Sequence, residues 1–236
     1  MIVTVRGQLL HMLETVAVAL GPELRQKLVF VGGCTTALFI TDFITLEDVR
    51  ATDDVDLIVD LAGYAGWREL EKRLKAKGFL TSLDDEILCR MRLGTLKVDF
   101  MPDNAEILGF TNRWYAQGIE QSQCYQLTED LVIKILPPEV FVATKLEAYK
   151  GRGNNNLMLS RDMEDILLVV DGRKELLDEI DNATKEIRQY IASQFREIQR
   201  NSDFDYFIEG NVTGPEGRAN IVRTRFSHIA ACDTGL

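Results

Sequence analysis

Histidine and paired cysteine are scarce in this chain, and each shortage removes a class of chemistry. The 236 residues include two histidines, His11 and His228, at opposite ends. That leaves little material for a His-based triad or a His-rich metal site. Cys34, Cys89, Cys124 and Cys232 are scattered with no CxxC pair, so neither a zinc cluster nor a thioredoxin-type centre is expected. No run of about 20 apolar residues occurs, and no membrane span is expected. Arg6 near the N-terminus is not followed by an apolar run bounded by small residues, which argues against a signal peptide. Positive charge is also short. The net charge of −10 argues against a general nucleic-acid coat, whose footprint is usually basic, while leaving room for a local basic face. These absences together describe a soluble protein of the reducing cytoplasm with no membrane partner.

The chain is not poor in core material. Apolar residues make up 46% of it, enough for one large domain or two small ones. Residues 6–20 carry apolar side chains at helical spacing, stopped by Gly21-Pro22. "KLVFVGG" (27–33) reads as a short buried strand ending in two glycines, and "CTTALFITDF" (34–43) as a helix. "DVDLIVDL" (54–61) is a second strand, and "AGWRELEKRLKAKG" (65–78) an amphipathic helix with a glycine stop. "EILCRMRLG" and "TLKVDFMP" form a hairpin turning at Gly94-Thr95, and "YQLTEDLVIKIL" (125–136) another. After Pro137-Pro138 the pattern turns helical. The expectation is an α/β (α+β) protein: a small mixed β-sheet core flanked by helices over 1–136, a helical domain over 137–200, and a tail over 201–236 with no clear pattern.

The segment "RATDDVDLIVD" (50–60) holds the feature that needs explaining. Aspartate is depleted in strands, yet Asp54 and Asp56 alternate here and so share one face. Two like charges on one face repel unless something positive lies between them. Asp99 sits in a second apolar strand, "LKVDFMP", where a buried carboxylate is expensive unless paired or metal-bound. If the two strands are neighbours, three carboxylates without a histidine suit a hard, oxygen-preferring ion, Mg²⁺ or Mn²⁺. Gly32-Gly33, at a strand end before the helix, would let backbone approach a phosphate, with the hydroxyls of Thr35 and Thr36 beside it.

This order of strand, Gly32-Gly33, helix, Arg50-x-Thr52-x-Asp54-x-Asp56, strand and Asp99 resembles the nucleotidyltransferase superfamily that includes DNA polymerase β. Downstream, "ATKLEAYKGRGNNNLMLSRDMEDILLVV" looks like the K-x-x-A…R…R-D-x-x-D pattern of AbiEii/MenT-type toxin nucleotidyltransferases. The resemblance spans roughly residues 28–170. It implies an Mg²⁺-dependent enzyme moving a nucleoside monophosphate from an NTP to an acceptor hydroxyl on tRNA, protein or a small molecule, with an antitoxin as candidate partner. Gly32 and Gly33 would cradle the triphosphate, and Asp54, Asp56 and Asp99 would hold the metal. Lys145 would offset the triphosphate charge. Asp162 would match the late acidic position, with Arg161 and Asp165 beside it, and Arg50 and Thr52 would orient the DxD turn. Where the family has Ser after the glycines this chain has Cys34, a weak donor, so phosphate binding would pass to Thr35 or to backbone N–H groups.

Plainer readings stand beside these. Asp99 could pair with Lys97 or Arg92 across the hairpin. Ser160 could cap a helix whose first turn holds Asp162. "GRGNNN" (151–156) lacks the Lys-Ser/Thr of a phosphate loop and reads as a connection. Arg68, Lys72, Arg73, Lys75 and Lys77 could form an RNA-facing stripe or a solvated helix face. Phe204, Tyr206, Phe207 and Phe226 could dock a partner or cap the helical half. The alternative function is a catalytically silent or partner-restrained nucleotide-binding module on the same scaffold.

Overall fold

A computed structural model describes residues 4–61, 63–85, 87–109, 111–152 and 156–233. Helix α1 (Val5–Arg25) is capped by Thr4, whose hydroxyl accepts from the Gly7 N–H at 3.1 Å. Leu9, Leu13, Val16, Ala17 and Leu20 recur every three or four residues and form its buried stripe. Gly21 leaves helical geometry at φ +67°, and Pro22 begins one last turn. The expected stop at Gly21-Pro22 is therefore a break within α1, because proline is well tolerated at the first position of a new turn.

The chain continues through β1 (Val29–Val31), a 3₁₀ turn (Gly33–Thr35), α2 (Thr36–Phe39), β2 (Asp54–Val59), α3 (Gly63–Lys75), β3 (Phe79–Leu80), β4 (Arg90–Leu93) and β5 (Leu96–Pro102). Then come α4 (Ala105–Leu108), α5 (Tyr115–Glu120), β6 (Gln123–Thr128) and β7 (Leu131–Ile135). The rest is helical: α6 (Pro138–Arg152), α7 (Arg161–Gly172), α8 (Leu176–Asp181), α9 (Lys185–Gln199), α10 (Phe204–Asn211) and α11 (Arg218–Ala231). The protein is thus mixed α/β, with a sheet core and a helical region. No helix of the described residues is long and apolar enough to cross a membrane.

Backbone contacts divide the chain into two units. One comprises the chain up to Thr35 together with Arg50–Pro137, and the other Thr36–Val49 together with the chain from Pro138 onward. The first unit holds a seven-stranded mixed sheet in the order β3-β4-β5-β2-β1-β7-β6. β2 runs parallel to β5 and antiparallel to β1. The two expected hairpins are present as β4–β5, turning at Gly94 with φ +61°, and as β6–β7. α1 packs on β7 and on the 3₁₀ turn. Phe79 and Phe100 meet edge to face, ring centres 5.5 Å apart, and are fully buried.

In the second unit α6, α7, α9 and α11 pack on one another. The segment 34–43, read as one helix, is helical only to Phe39. Beyond it the Thr41 and Asp42 N–H groups both donate to the Gly172 carbonyl at the end of α7. Gly172 itself sits so close to Ile40 and Thr45 that a methyl there would lie 2.6 and 2.9 Å from their side chains. Arg218 ties this segment down, donating to Asp171 at 2.9 Å, to Asp42 at 2.8 Å and to Thr45. The unpatterned tail is two helices. Phe204, Phe207 and Phe226 are buried within this unit, with Phe226 4.8 Å from Phe195, whereas Tyr206 is exposed. These phenylalanines therefore close the helical unit's own core. Of the "GRGNNN" connection, residues 153–155 lie outside the described residues.

Candidate metal centre and its surroundings

Strand register builds the candidate site in the first unit. Asp56 lies beside Asp99 across the parallel β2–β5 pair, and Arg90 lies beside Asp99 across the antiparallel β4–β5 pair. Neighbours in register point to the same face, so Arg90, Asp99 and Asp56 form one row. Two residues along, Arg92, Lys97 and Asp54 form the next. The opposite face of β2 and β5 presents Val55, Leu57, Val98 and Phe100, all fully buried. Apolar packing on that side fixes the register, since a slip of one residue would turn the acids into the core.

One oxygen each of Asp54, Asp56 and Asp99 lies within 4.8 Å of the other two. Asp99 is buried; Asp54 and Asp56 are half-buried. Thr52 orients Asp54 through a 2.6 Å hydrogen bond to Oδ1, while Arg50 donates to the neighbouring Ala51 carbonyl at 3.4 Å. Gly32 lies against Asp56. It holds φ +74°, and a Cβ there would fall 2.7 Å from the Asp56 Cγ and closer still to Oδ2. The glycine is therefore required twice, by backbone conformation and by close approach. Gly33 opens the 3₁₀ turn, and the Thr35 hydroxyl donates to the Gly32 carbonyl at 2.8 Å and so closes the loop on itself. Thr36 belongs to the second unit; its hydroxyl is buried with no hydrogen-bond partner among the described residues.

Cys34 points away from the loop's open side. It is 1% exposed and its Sγ contacts the Leu9 carbonyl of α1 at 3.6 Å. Burial first, then the charges of Asp56 and Asp54, push its thiol pKa far above the ordinary value. It is a neutral packing group, and a serine there would gain nothing toward a phosphate from that orientation.

The ion pairing of the hairpin differs from the sequence expectation. Asp99 pairs with neither Lys97 nor Arg92. Arg90 donates to both its oxygens at 2.8 Å and reaches Asp54 at 3.3 Å. Hydrogen bonding to Asp99, working against burial, holds the guanidinium firmly charged. Arg92 instead forks onto Asp85 at 2.7 and 2.8 Å, and Lys97 reaches Asp53 at 2.5 Å. Arg90 was legible in principle. With a two-residue turn at Gly94-Thr95, stepping outward pairs Leu93 with Leu96 and then Arg90 with Asp99.

Lys145, Asp162 and Arg161 belong to the second unit. The Lys145 ammonium is buried and lies 2.6 Å from Asp165 and 3.3 Å from Asp162. Arg152, the middle arginine of the downstream pattern, forks onto Asp162 at 3.0 and 2.9 Å. Burial raises the Asp162 carboxyl, but the Arg152 hydrogen bonds and the Lys145 charge outweigh it and hold the pKa below the usual range. Ser160 caps α7, its hydroxyl accepting from Met163 N–H at 3.3 Å, with Asp162 in the first turn. Arg161 is exposed. Removing one partner of a buried pair strands the other charge, at a cost of about 3–5 kcal/mol. Asp165→Ala removes the nearer carboxylate and leaves Lys145 with Asp162 at 3.3 Å, so it is expected to lower the unfolding free energy by about 3 kcal/mol. A urea titration showing less than about 1 kcal/mol would mean that the cluster is solvated.

Arg68, Lys72, Lys75 and Lys77 are exposed, and acids stand among them. Arg73 pairs with Glu23 at 2.7 Å and Lys75 with Glu71 at 2.8 Å.

No family model matches the chain, and no curated protein is similar to it at a significant level. Among solved structures, the crystal structure of JHP933 from Helicobacter pylori is similar over 96% of this chain and 94% of that one, with 12% identity and a TM-score of 0.48. Similarity at that level transfers neither fold nor activity.

Proposed function

We propose that the first unit carries the metal centre of a nucleotidyltransferase, which moves a nucleoside monophosphate from an NTP to an acceptor hydroxyl. The observation that supports this reading is the convergence of Asp54, Asp56 and Asp99 from adjacent parallel strands, with Gly32 packed on Asp56. Three carboxylates with no nitrogen or sulfur donor fit Mg²⁺ or Mn²⁺. When bound, such an ion would neutralise phosphate charge and polarise the reacting phosphorus. In the reaction the acceptor oxygen bonds to the α-phosphorus, the bond from that phosphorus to the departing pyrophosphate breaks, and the acceptor's proton is released. Asp54 and Asp56 would hold the ion, Asp99 would complete the set, and Thr52 would keep Asp54 aimed. Lys145, Arg161 and Asp162 belong to the second unit and enter by resemblance alone. The candidate acceptors are tRNA, protein and small molecules; a toxin role with an antitoxin partner and a cytoplasmic setting are further parts of the proposal.

One observation favours a second reading. Arg90 already neutralises Asp99 and touches Asp54, as it would in a silent site on the same scaffold. A transfer assay separates the two. Purified protein is mixed with Mg²⁺ and each α-labelled NTP, with and without total tRNA. Label moving to tRNA or protein for at least one NTP is the expected outcome. No transfer, with nucleotide binding retained by calorimetry, would favour the silent or partner-restrained module; no transfer and no nucleotide binding would overturn both readings.

A further inference from the structure

We propose that Arg90 is a built-in counter-ion that a divalent cation must displace, so that it sets how tightly the acidic site takes metal. The inference rests on the metal-centre reading above and concerns the regulation of that site. The guanidinium side chain is 13% exposed and Asp99's is 9%. It donates to both Asp99 oxygens and to the Asp54 oxygen Oδ2. Two of the three carboxylates that would coordinate an ion therefore already hold a cation.

The pairing follows from the strand register and does not depend on a loose side chain, because Arg90 and Asp99 are direct neighbours across β4–β5. The other hairpin cations are engaged elsewhere, Arg92 by Asp85 and Lys97 by Asp53. Arg90 brings one positive charge to the two carboxylates of Asp99 and Asp54, so that pair still carries net negative charge toward a divalent cation. A coordinating ion needs an oxygen at about 2.1 Å, and a guanidinium fork on the same carboxylate would then repel it at short range. Arg90 must leave at least one Asp99 oxygen, or give up Asp54, when the ion arrives. The arrangement lets the apo site avoid the repulsion of three bare acids while resisting metal until binding energy from ion and nucleotide together outweighs the fork.

Calorimetric titration of the full chain with Mn²⁺, paired with thermal melts, tests this. Arg90→Gln removes the charge, Arg90→Lys keeps it without the fork, and Arg92→Gln removes a nearby charge that does not touch the three acids. Arg90→Gln is expected to bind Mn²⁺ on the order of tenfold or more tightly than wild type. It should melt lower without metal and recover with Mn²⁺. Arg90→Lys should fall between wild type and Arg90→Gln, and Arg92→Gln should match wild type within about twofold. Unchanged or weaker binding by a folded Arg90→Gln would make Arg90 a structural clamp and overturn the inference. Equal tightening by Arg92→Gln would overturn it too, since general charge would then suffice. If no variant, wild type included, binds Mn²⁺, the metal-centre reading itself falls.

Discussion

On the proposed reading, Asp56→Asn is expected to lower nucleotidyl transfer roughly a thousandfold, because a metal ligand would supply several kcal/mol of charge stabilisation, here taken as about 4 kcal/mol. Asp56 stands in the row between Asp99 and the Gly32 loop, and it is the acid against which the loop is packed. An amide keeps the shape and removes the charge. The folded protein should therefore survive, and relief of like-charge crowding with Asp99 and Asp54 should leave its melting temperature at or above that of wild type. Asp60→Asn is the matched control, since Asp60 lies just past the strand and is exposed. Transfer measured in Mg²⁺ should be unchanged in the control. Retention of more than a tenth of wild-type turnover by Asp56→Asn would be incompatible with a metal ligand at this position.

Gly32→Ala is expected to harm stability and cation binding together. An L-residue at φ +74° costs about 1–2 kcal/mol by itself. The added methyl would also collide with the Asp56 carboxylate, forcing either the loop or the acid out of place. Gly94→Ala isolates the first effect, because Gly94 has φ +61° with nothing within 4 Å of an added Cβ. Denaturant titrations should show Gly94→Ala losing about 1 kcal/mol and Gly32→Ala at least twice that. Mn²⁺ affinity should fall about tenfold or more in Gly32→Ala alone. Equal losses in the two variants would show that Asp56 moves aside freely and that the loop does not position it.

The parts of this molecule that could be read from the sequence are those set by local chemistry. Gly21-Pro22, the Gly94 turn and the alternation of Asp54 with Asp56 all express themselves within a few residues. The convergence of Asp99 on that pair needed only the guess that two apolar strands are neighbours. The partner of Arg90 emerges only when the register is counted outward from the turn, and Lys97 and Arg92 stand nearer to Asp99 in sequence. The tail was missed for a different reason. α11 has an apolar set at Val222, Phe226, Ile229 and Ala230, which is helical spacing, but its N-cap is Gly217 in the left-handed region with no side-chain bond. With no capping signal to mark its start, the pattern was lost among arginines and threonines. Segment 36–49 contacts α7, far along the chain, and nothing in its own residues announces so distant a partner.

The row Arg90–Asp99–Asp56 also bears on the order in which the sheet assembles. Arg90 and Asp99 are nine residues apart and meet across a tight hairpin, a contact that closes a short loop and forms fast. Asp56 meets Asp99 only after a long crossover brings β2 and β5 side by side, a slow and entropically costly closure. Asp99 therefore reaches its like-charged neighbour already clasped by Arg90. The hairpin carries its own neutraliser into the assembly step, so two aspartates can be zipped together at the middle of a sheet before any ion is available to separate them.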